Sequence, residues 1–191
     1  MAARKTICAL TCLLVALSLT ACGAQTAGNY GGRAPDYGKA LAGAPKPLAQ
    51  LYSQANALLP GGSDTYGSEL RKLHGYPVVA NVWASWCGPC RFEFPLFQHV
   101  AAKDGKRVAF IGVNSYDSDD AAKTFLSEYP VPFPSVSDPS QDVWHDLKLS
   151  GLPGTAFYDR AGNLTYLKQG PYTDEAQLRA DIQAHAVQGR S

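Results

Sequence analysis

The chain has 191 residues, of which 46% are apolar and 17% charged, with a formal net charge of +1. That is ample core material for one globular domain with appendages. With no basic patch and no acidic run, the composition excludes a nucleic-acid-binding surface and a charged disordered tail.

Arg4 and Lys5 precede an apolar stretch from Ile7 to Leu19, and Leu19-Thr20-Ala21 then leads into Cys22. This is the layout of a secretory signal. Small residues directly before a cysteine also resemble the bacterial lipobox, in which that cysteine is lipidated and becomes the mature N-terminus. Residues 1–21 are accordingly expected to be a lipoprotein signal and Cys22 the lipidation site; an ordinary signal peptide cleaved nearby is the alternative. The apolar run is too short to span a bilayer comfortably. Cys8 and Cys12 would leave with the signal, and the loss of Arg4 and Lys5 would take the charge from +1 to −1. Only Cys87 and Cys90 would then remain in the folded part. A protein beyond the cytoplasm with one close cysteine pair is not a disulfide-stapled scaffold, so the pair is available for chemistry.

Residues 22–47 are rich in Gly, Ala and Pro and read as a flexible tether, able to hold a domain on the order of a few nanometres from a bilayer. Leu48, Leu51, Tyr52, Ala55, Leu58 and Leu59 recur at helical spacing, which predicts a helix from Leu48 to Leu59 that ends at Pro60-Gly61-Gly62. Ser63-Asp64 is placed to cap a second helix, reaching Leu73 and stopped by His74-Gly75. Residues 48–74 thus form an expected N-terminal helical extension.

Val78 to Ala84 is apolar and β-branched, the composition of a strand buried on both faces. It feeds Cys87-Gly88-Pro89-Cys90 and a predicted helix, Pro89 to Ala102, interrupted and kinked at Pro95. A sulfur at the start of a helix lies beside unpaired N–H groups at the positive end of the dipole, which favours thiolate. Cys90 falls on the same helical face, at a spacing that suits a disulfide. Pro89 fits the first turn, where its missing N–H costs nothing. A zinc half-site would need two more ligands at proper spacing, which the chain lacks. A c-type haem site would continue with His, where this chain has Arg91. An inert disulfide closing so small a loop would add little stability.

Arg107 to Asn114 predicts a second buried parallel strand. A helix from Asp119 to Tyr129 follows and stops at Pro130-Val131-Pro132-Phe133-Pro134. A short strand at Pro134 to Ser137 and a short helix within Asp138 to Leu147 come next. Ala156 to Asp159, a turn at Arg160-Ala161-Gly162-Asn163, and Leu164 to Gln169 read as a β-hairpin. Thr173-Asp174-Glu175 opens a C-terminal helix to Ala186. The order implies an α/β layer fold with a mixed sheet.

The run from Asn81 through Trp86-Cys87-Gly88-Pro89-Cys90-Arg91-Phe92-Glu93-Phe94-Pro95 resembles the extracytoplasmic TlpA/ResA-like thiol–disulfide oxidoreductases of the thioredoxin superfamily. The similarity covers residues 75–187 and implies a thioredoxin-like three-layer α/β fold with a mixed central sheet and a central insertion between Cys90 and Pro153. It implies Cys87 as nucleophile and Cys90 as resolving thiol. Gly151-Leu152-Pro153-Gly154-Thr155 matches the family's cis-proline site, with the Leu152 backbone pairing to substrate. The family has a functional Glu at the offset of Glu93. On its own residues, Glu93 lies one turn beyond Cys90 and reads either as the acceptor of the Cys90 proton or as an exposed helix charge. Cytoplasmic thioredoxins carry a buried Asp six residues before the first cysteine; Asn81 stands there and cannot titrate. Trp86 is expected to flank the sulfur as a contact surface and Trp83 to be core. Arg91 reads as a solvated charge, with support of the thiolate as the alternative, and His74, His99, His145 and His185 read as ordinary surface or capping residues.

The expected function is therefore thiol–disulfide exchange on protein substrates, by a monomer lipid-anchored outside the cytoplasm, with no cofactor, metal or nucleic acid. A secreted form is the alternative location. Gly-Pro between the cysteines goes with reducing potentials near about −270 mV. The resemblance implies a reductant, for example of apocytochrome c cysteines before haem attachment, supplied by a membrane thiol donor. The alternatives are an oxidant or isomerase, a copper or haem chaperone, and a peroxidase, which would need a Pro-x-x-x-Thr-x-x-Cys pattern that is absent here.

Overall fold

The computed structural model describes residues 34–190. The signal segment, Cys22 and the start of the tether lie outside them. In chain order the elements are α1 (Tyr37–Leu41), α2 (Lys46–Tyr52), β1 (Leu58–Leu59), α3 (Gly62–Lys72), β2 (Val78–Trp83), α4 (Gly88–Asp104), β3 (Ala109–Ser115), α5 (Asp119–Glu128), β4 (Ser135–Asp138), α6 (Asp142–Asp146), β5 (Gly154–Tyr158), β6 (Leu164–Gln169) and α7 (Glu175–Asp181), which continues into a π-helical segment, Ile182–Val187.

The strands form one sheet in the order β1-β4-β3-β2-β5-β6. β1, β4, β3 and β2 run parallel; β5 and β6 join antiparallel beside β2. Every residue of β2, β3, β4 and β5 is buried, because helices cover both faces, whereas edge strand β6 is half wet. On one face Trp83 packs its ring 5.1 Å from Phe94 of α4 and 4.8 Å from Phe125 of α5. Phe97 of α4 meets Tyr172, just ahead of α7, on the same side. On the other face Tyr66 of α3 and Tyr158 of β5 share a hydrogen bond of 2.9 Å between their hydroxyls. The Asp138 carboxylate takes the Ser115 hydroxyl at 2.8 Å and the Val143 N–H of α6 at 3.3 Å. The result is the expected thioredoxin-like three-layer arrangement.

The N-terminal part departs from expectation. The tether reading fails for its last third, since Tyr37–Leu41 is helical. Asp36 caps that helix by accepting Lys39 N–H, Tyr37 donates its hydroxyl to Pro130 O at 2.8 Å, and Leu41 packs against the core. The helix expected over Leu48–Leu59 ends at Tyr52. Asn56 breaks it: with φ of 62° it adopts the left-handed region that Asn tolerates. Its side chain donates to Leu126 O and accepts from Val131 N–H. Leu58 and Leu59 are thereby turned onto the edge of β4 as a parallel strand. Two leucines in a short apolar run fit either period, and the unfilled sheet edge decides between them. Helix α4 runs through Pro95 to Asp104, close to the expected end at Ala102. The one hydrogen bond Pro95 cannot make is outweighed by the face of Phe94, Phe97 and Val100, all buried against the sheet.

Gly112, at the centre of β3, shows how tight this packing is. A Cβ there would lie 2.1 Å from Ser135 Oγ and 3.0 Å from Trp83 Nε1. Gly112→Ala is expected to lower unfolding stability by about 1–3 kcal/mol, the usual cost of overpacking, as measured by denaturant unfolding.

Candidate active site

The site grows from the C-terminal end of β2. Trp83 and Ala84 are fully buried, and the chain then turns outward through Ser85 and Trp86 to Cys87. Asp117, on the loop after β3, holds this turn: its carboxylate accepts Ser85 N–H at 2.6 Å, the Ser85 hydroxyl at 2.9 Å and the Asn114 amide at 2.9 Å. Trp86 is 58% exposed, donates its indole N–H to Tyr116 O, and meets the exposed Tyr116 ring edge to face. Asp117 and Tyr116 went unnoticed in the sequence, because both act across 30 or more residues and carry no local motif.

Cys87 is the N-cap of α4. Its sulfur accepts the Cys90 N–H at 3.1 Å, in the place where a Ser or Asp oxygen commonly caps a helix. Cys87 and Cys90 are joined in a disulfide with Cα atoms 5.3 Å apart. Cys90 is fully buried and Cys87 nearly so, at 4% exposure. On reduction, the sulfur held by a helix N-terminal N–H is Cys87, and the positive end of the dipole favours its thiolate.

Glu93 is fully buried, so it is not an exposed helix charge. Asn81 donates its amide to one carboxylate oxygen at 2.7 Å, and the Tyr172 backbone N–H donates to the other at 2.9 Å. Burial pushes the carboxyl up to about 7, opposed by those two hydrogen bonds and by the charge of Lys168. The residue that replaces a titrating Asp thus serves as the donor that holds a titrating Glu.

Leu152–Pro153 is a cis peptide. Gly154 pairs with Val82, so Leu152 and Pro153 lie at the sheet end where β2 hands over to the cysteines. Arg91 is not a free solvated charge. It pairs with Glu128 at 3.0 Å, donates to Ser85 O, and lies over the rings of Phe125 and Tyr129. It thereby joins α4 to α5. A groove of about 370 Å³ beside Trp86 is lined by Ser85, Arg91, Asp120, Thr124, Phe125 and Glu128 among others. His185 stacks on Tyr166 near the C-terminus, away from the cysteines in the fold. No group of three His, Cys, Asp or Glu among the described residues is placed to hold a metal ion, and no helix among them is long and apolar enough to cross a membrane.

The Redoxin family model matches residues 52–182. The chain is 33% identical over 132 residues to the thiol:disulfide interchange protein HelX of Rhodobacter capsulatus, covering 69% of this chain and 73% of that one. It is 32% identical over 117 residues to the thiol-disulfide oxidoreductase ResA of Bacillus subtilis, covering 58% and 64%. Among solved structures, DsbF of Mycobacterium tuberculosis superposes with a TM-score of 0.56 at 32% identity, over 60% of this chain and 84% of that one. A capped cysteine pair at the end of a buried strand, on a thioredoxin-like sheet with these relatives, makes the chain a member of the redoxin family and a thiol–disulfide oxidoreductase.

Proposed function

We propose that the protein is a membrane-anchored, extracytoplasmic reductant of protein disulfides. The observation that carries this reading is the Cys87 sulfur capping α4 with the buried Glu93 carboxyl one turn beyond Cys90. The signal-like N-terminus supports the location, and Cys22 is the proposed anchor. Gly88-Pro89 between the cysteines supports the reducing direction.

In the proposed cycle the Cys87 thiolate attacks a substrate disulfide. One substrate sulfur leaves with the bonding pair, and Cys87 is joined to the other. Cys90 then loses its proton to Glu93 and attacks Cys87. The intramolecular disulfide forms, the mixed disulfide breaks, and the second substrate sulfur leaves with its pair. The substrate is reduced by two electrons and the cysteine pair is oxidised. Two protons, one of them passed through Glu93, end on the substrate thiols or in solvent. Pro153 and the Leu152 backbone align the substrate segment, and Trp86 supplies the contact surface. A membrane thiol donor returns the pair to the dithiol. Apocytochrome c cysteines awaiting haem are the proposed substrate, by likeness to the family.

The test is the equilibrium potential of the Cys87–Cys90 pair in a thiol redox buffer. A value near about −270 mV is expected; a value near about −120 mV, that of a strong oxidant, overturns the reductant reading. Labelling with radioactive fatty acid, lost in Cys22→Ala, tests the anchor.

A further inference from the structure

The turns after β2 and β3 leave the sheet at the same end, because the two strands are parallel and Trp83 lies opposite Asn114. Crevices beyond the carboxyl ends of such strands are where open α/β sheets take ligands. Trp86 and Tyr116 meet there, with ring centroids 5.8 Å apart and planes at 89°. They are 58% and 59% exposed, whereas the adjoining Cys87 is only 4% exposed. A substrate segment that reaches the sulfur comes in beside these rings.

The backbone of Tyr116 singles it out. Its φ of 56° lies in the left-handed region, where a bulky residue is a genuine outlier. The turn itself accounts for that conformation. The Tyr116 carbonyl takes the Trp86 indole N–H at 2.8 Å, and the next residue, Asp117, brings its carboxylate to Ser85. A glycine would serve both ends without strain, so the turn does not explain the tyrosine ring. The core does not explain it either, since the ring is exposed and its ring contact is the exposed Trp86. Strain kept at an exposed side chain beside a reactive group points to a contact with another molecule.

The corner between the rings is apolar. The indole N–H is spent on Tyr116 O. The Asp117 carboxylate already accepts from the Ser85 N–H and hydroxyl, the Asn114 amide and the Ser118 N–H. An edge-to-face pair presents two ring surfaces at right angles, against which a third aromatic side chain packs edge-on or offset. We propose that Tyr116 is a specificity-determining residue: with Trp86 it forms a corner that takes a large apolar side chain, aromatic above all, next to the cysteine of the protein substrate. The inference rests on the reading of Trp86 as the contact surface and holds for either direction of electron flow.

The test uses the full chain as the dithiol and disulfide-linked peptide dimers of the form X-Cys-X flanked by glycines, with X as Phe, Lys or Ser. Each reaction oxidises the cysteine pair to its disulfide and releases the peptide as two thiols, counted by chromatography after acid quench. The readout is the ratio of second-order rate constants for the Phe and Ser peptides in one protein preparation, so a general loss of activity cancels. An aromatic contact is worth roughly three- to tenfold. The parent is expected to favour Phe over both Ser and Lys by about that factor, Tyr116→Gly to lose most of the preference, and Tyr116→Phe to keep it. Glycine takes the left-handed turn freely and keeps the carbonyl that holds Trp86, so the denaturant midpoint of Tyr116→Gly should be no lower than the parent's. An unchanged ratio in Tyr116→Gly overturns the proposal, and so does a Lys peptide faster than the Phe peptide, which would mean that charge is read instead. A parent dimer in sedimentation that Tyr116→Gly dissolves overturns it as well, since a second copy would then be the occupant. Trp86→Ala separates the two readings: a preference lost in Tyr116→Gly but kept in Trp86→Ala upholds Tyr116, and it is the Trp86 reading that fails.

Discussion

With Cys90 changed to Ser, the protein is expected to stop after half a cycle and accumulate as a mixed disulfide through Cys87. Cys87 keeps its place at the helix N-terminus, because the N–H of residue 90 that its sulfur accepts belongs to the backbone and survives the change. The nucleophile therefore stays activated, while the group that would release the substrate is gone. Cys87→Ser, by contrast, is expected to abolish both the adduct and insulin reduction, because a serine hydroxyl is not ionised at neutral pH. Neither variant should unfold. The disulfide spans residues 87–90, and closing so short a loop is worth only about 2 kcal/mol by chain entropy. Non-reducing gels of cell extracts read the outcome. Adducts through Cys90 rather than Cys87, or none in Cys90→Ser, would reverse the roles given to the two sulfurs.

The centre of the molecule was legible in the sequence because its causes are local. Val78–Trp83 declares a buried strand by composition, and Cys87-Gly88-Pro89-Cys90 declares a helix start by its proline and its spacing. What could not be read depends on partners far along the chain. Tyr37–Leu41 looks like linker because its anchor is Pro130, 93 residues away. Leu58 and Leu59 match a helical stripe, but the edge of β4 claims them. Asn81 was recognisable as a group that cannot titrate, yet its use as a donor to Glu93 appears only when β2 and α4 are packed together. The second donor, the Tyr172 N–H, is backbone and leaves no mark in residue type at all.

Glu93→Gln is expected to make the protein more stable at alkaline pH and slower as an enzyme. Glu93 is buried, and its carboxyl is raised from the ordinary 4.5 to about 7, chiefly by desolvation. The folded state therefore binds this proton more tightly than the unfolded chain does. Its contribution to stability is fully present below about pH 4.5, declines as pH rises, and is gone above about pH 7. That shift corresponds to about 3 kcal/mol. Gln removes the titration and fits the same partners: its oxygen takes the Tyr172 N–H, and its amide faces Asn81 once that side chain flips. Unfolding of the disulfide form in guanidinium should show the variant more stable by about 3 kcal/mol at pH 8 and equal to the parent at pH 4. The resolving step should slow by about 100-fold near neutral pH, the scale of a lost general base. If the pH dependence of stability survives in Glu93→Gln, another buried group is responsible. A variant that is stabilised yet resolves its mixed disulfide at the parental rate would mean the buried carboxyl is not on the path of the Cys90 proton. Slowing and stabilisation together would mean that the protein retains a destabilising buried charge because Cys90 needs a base within the core.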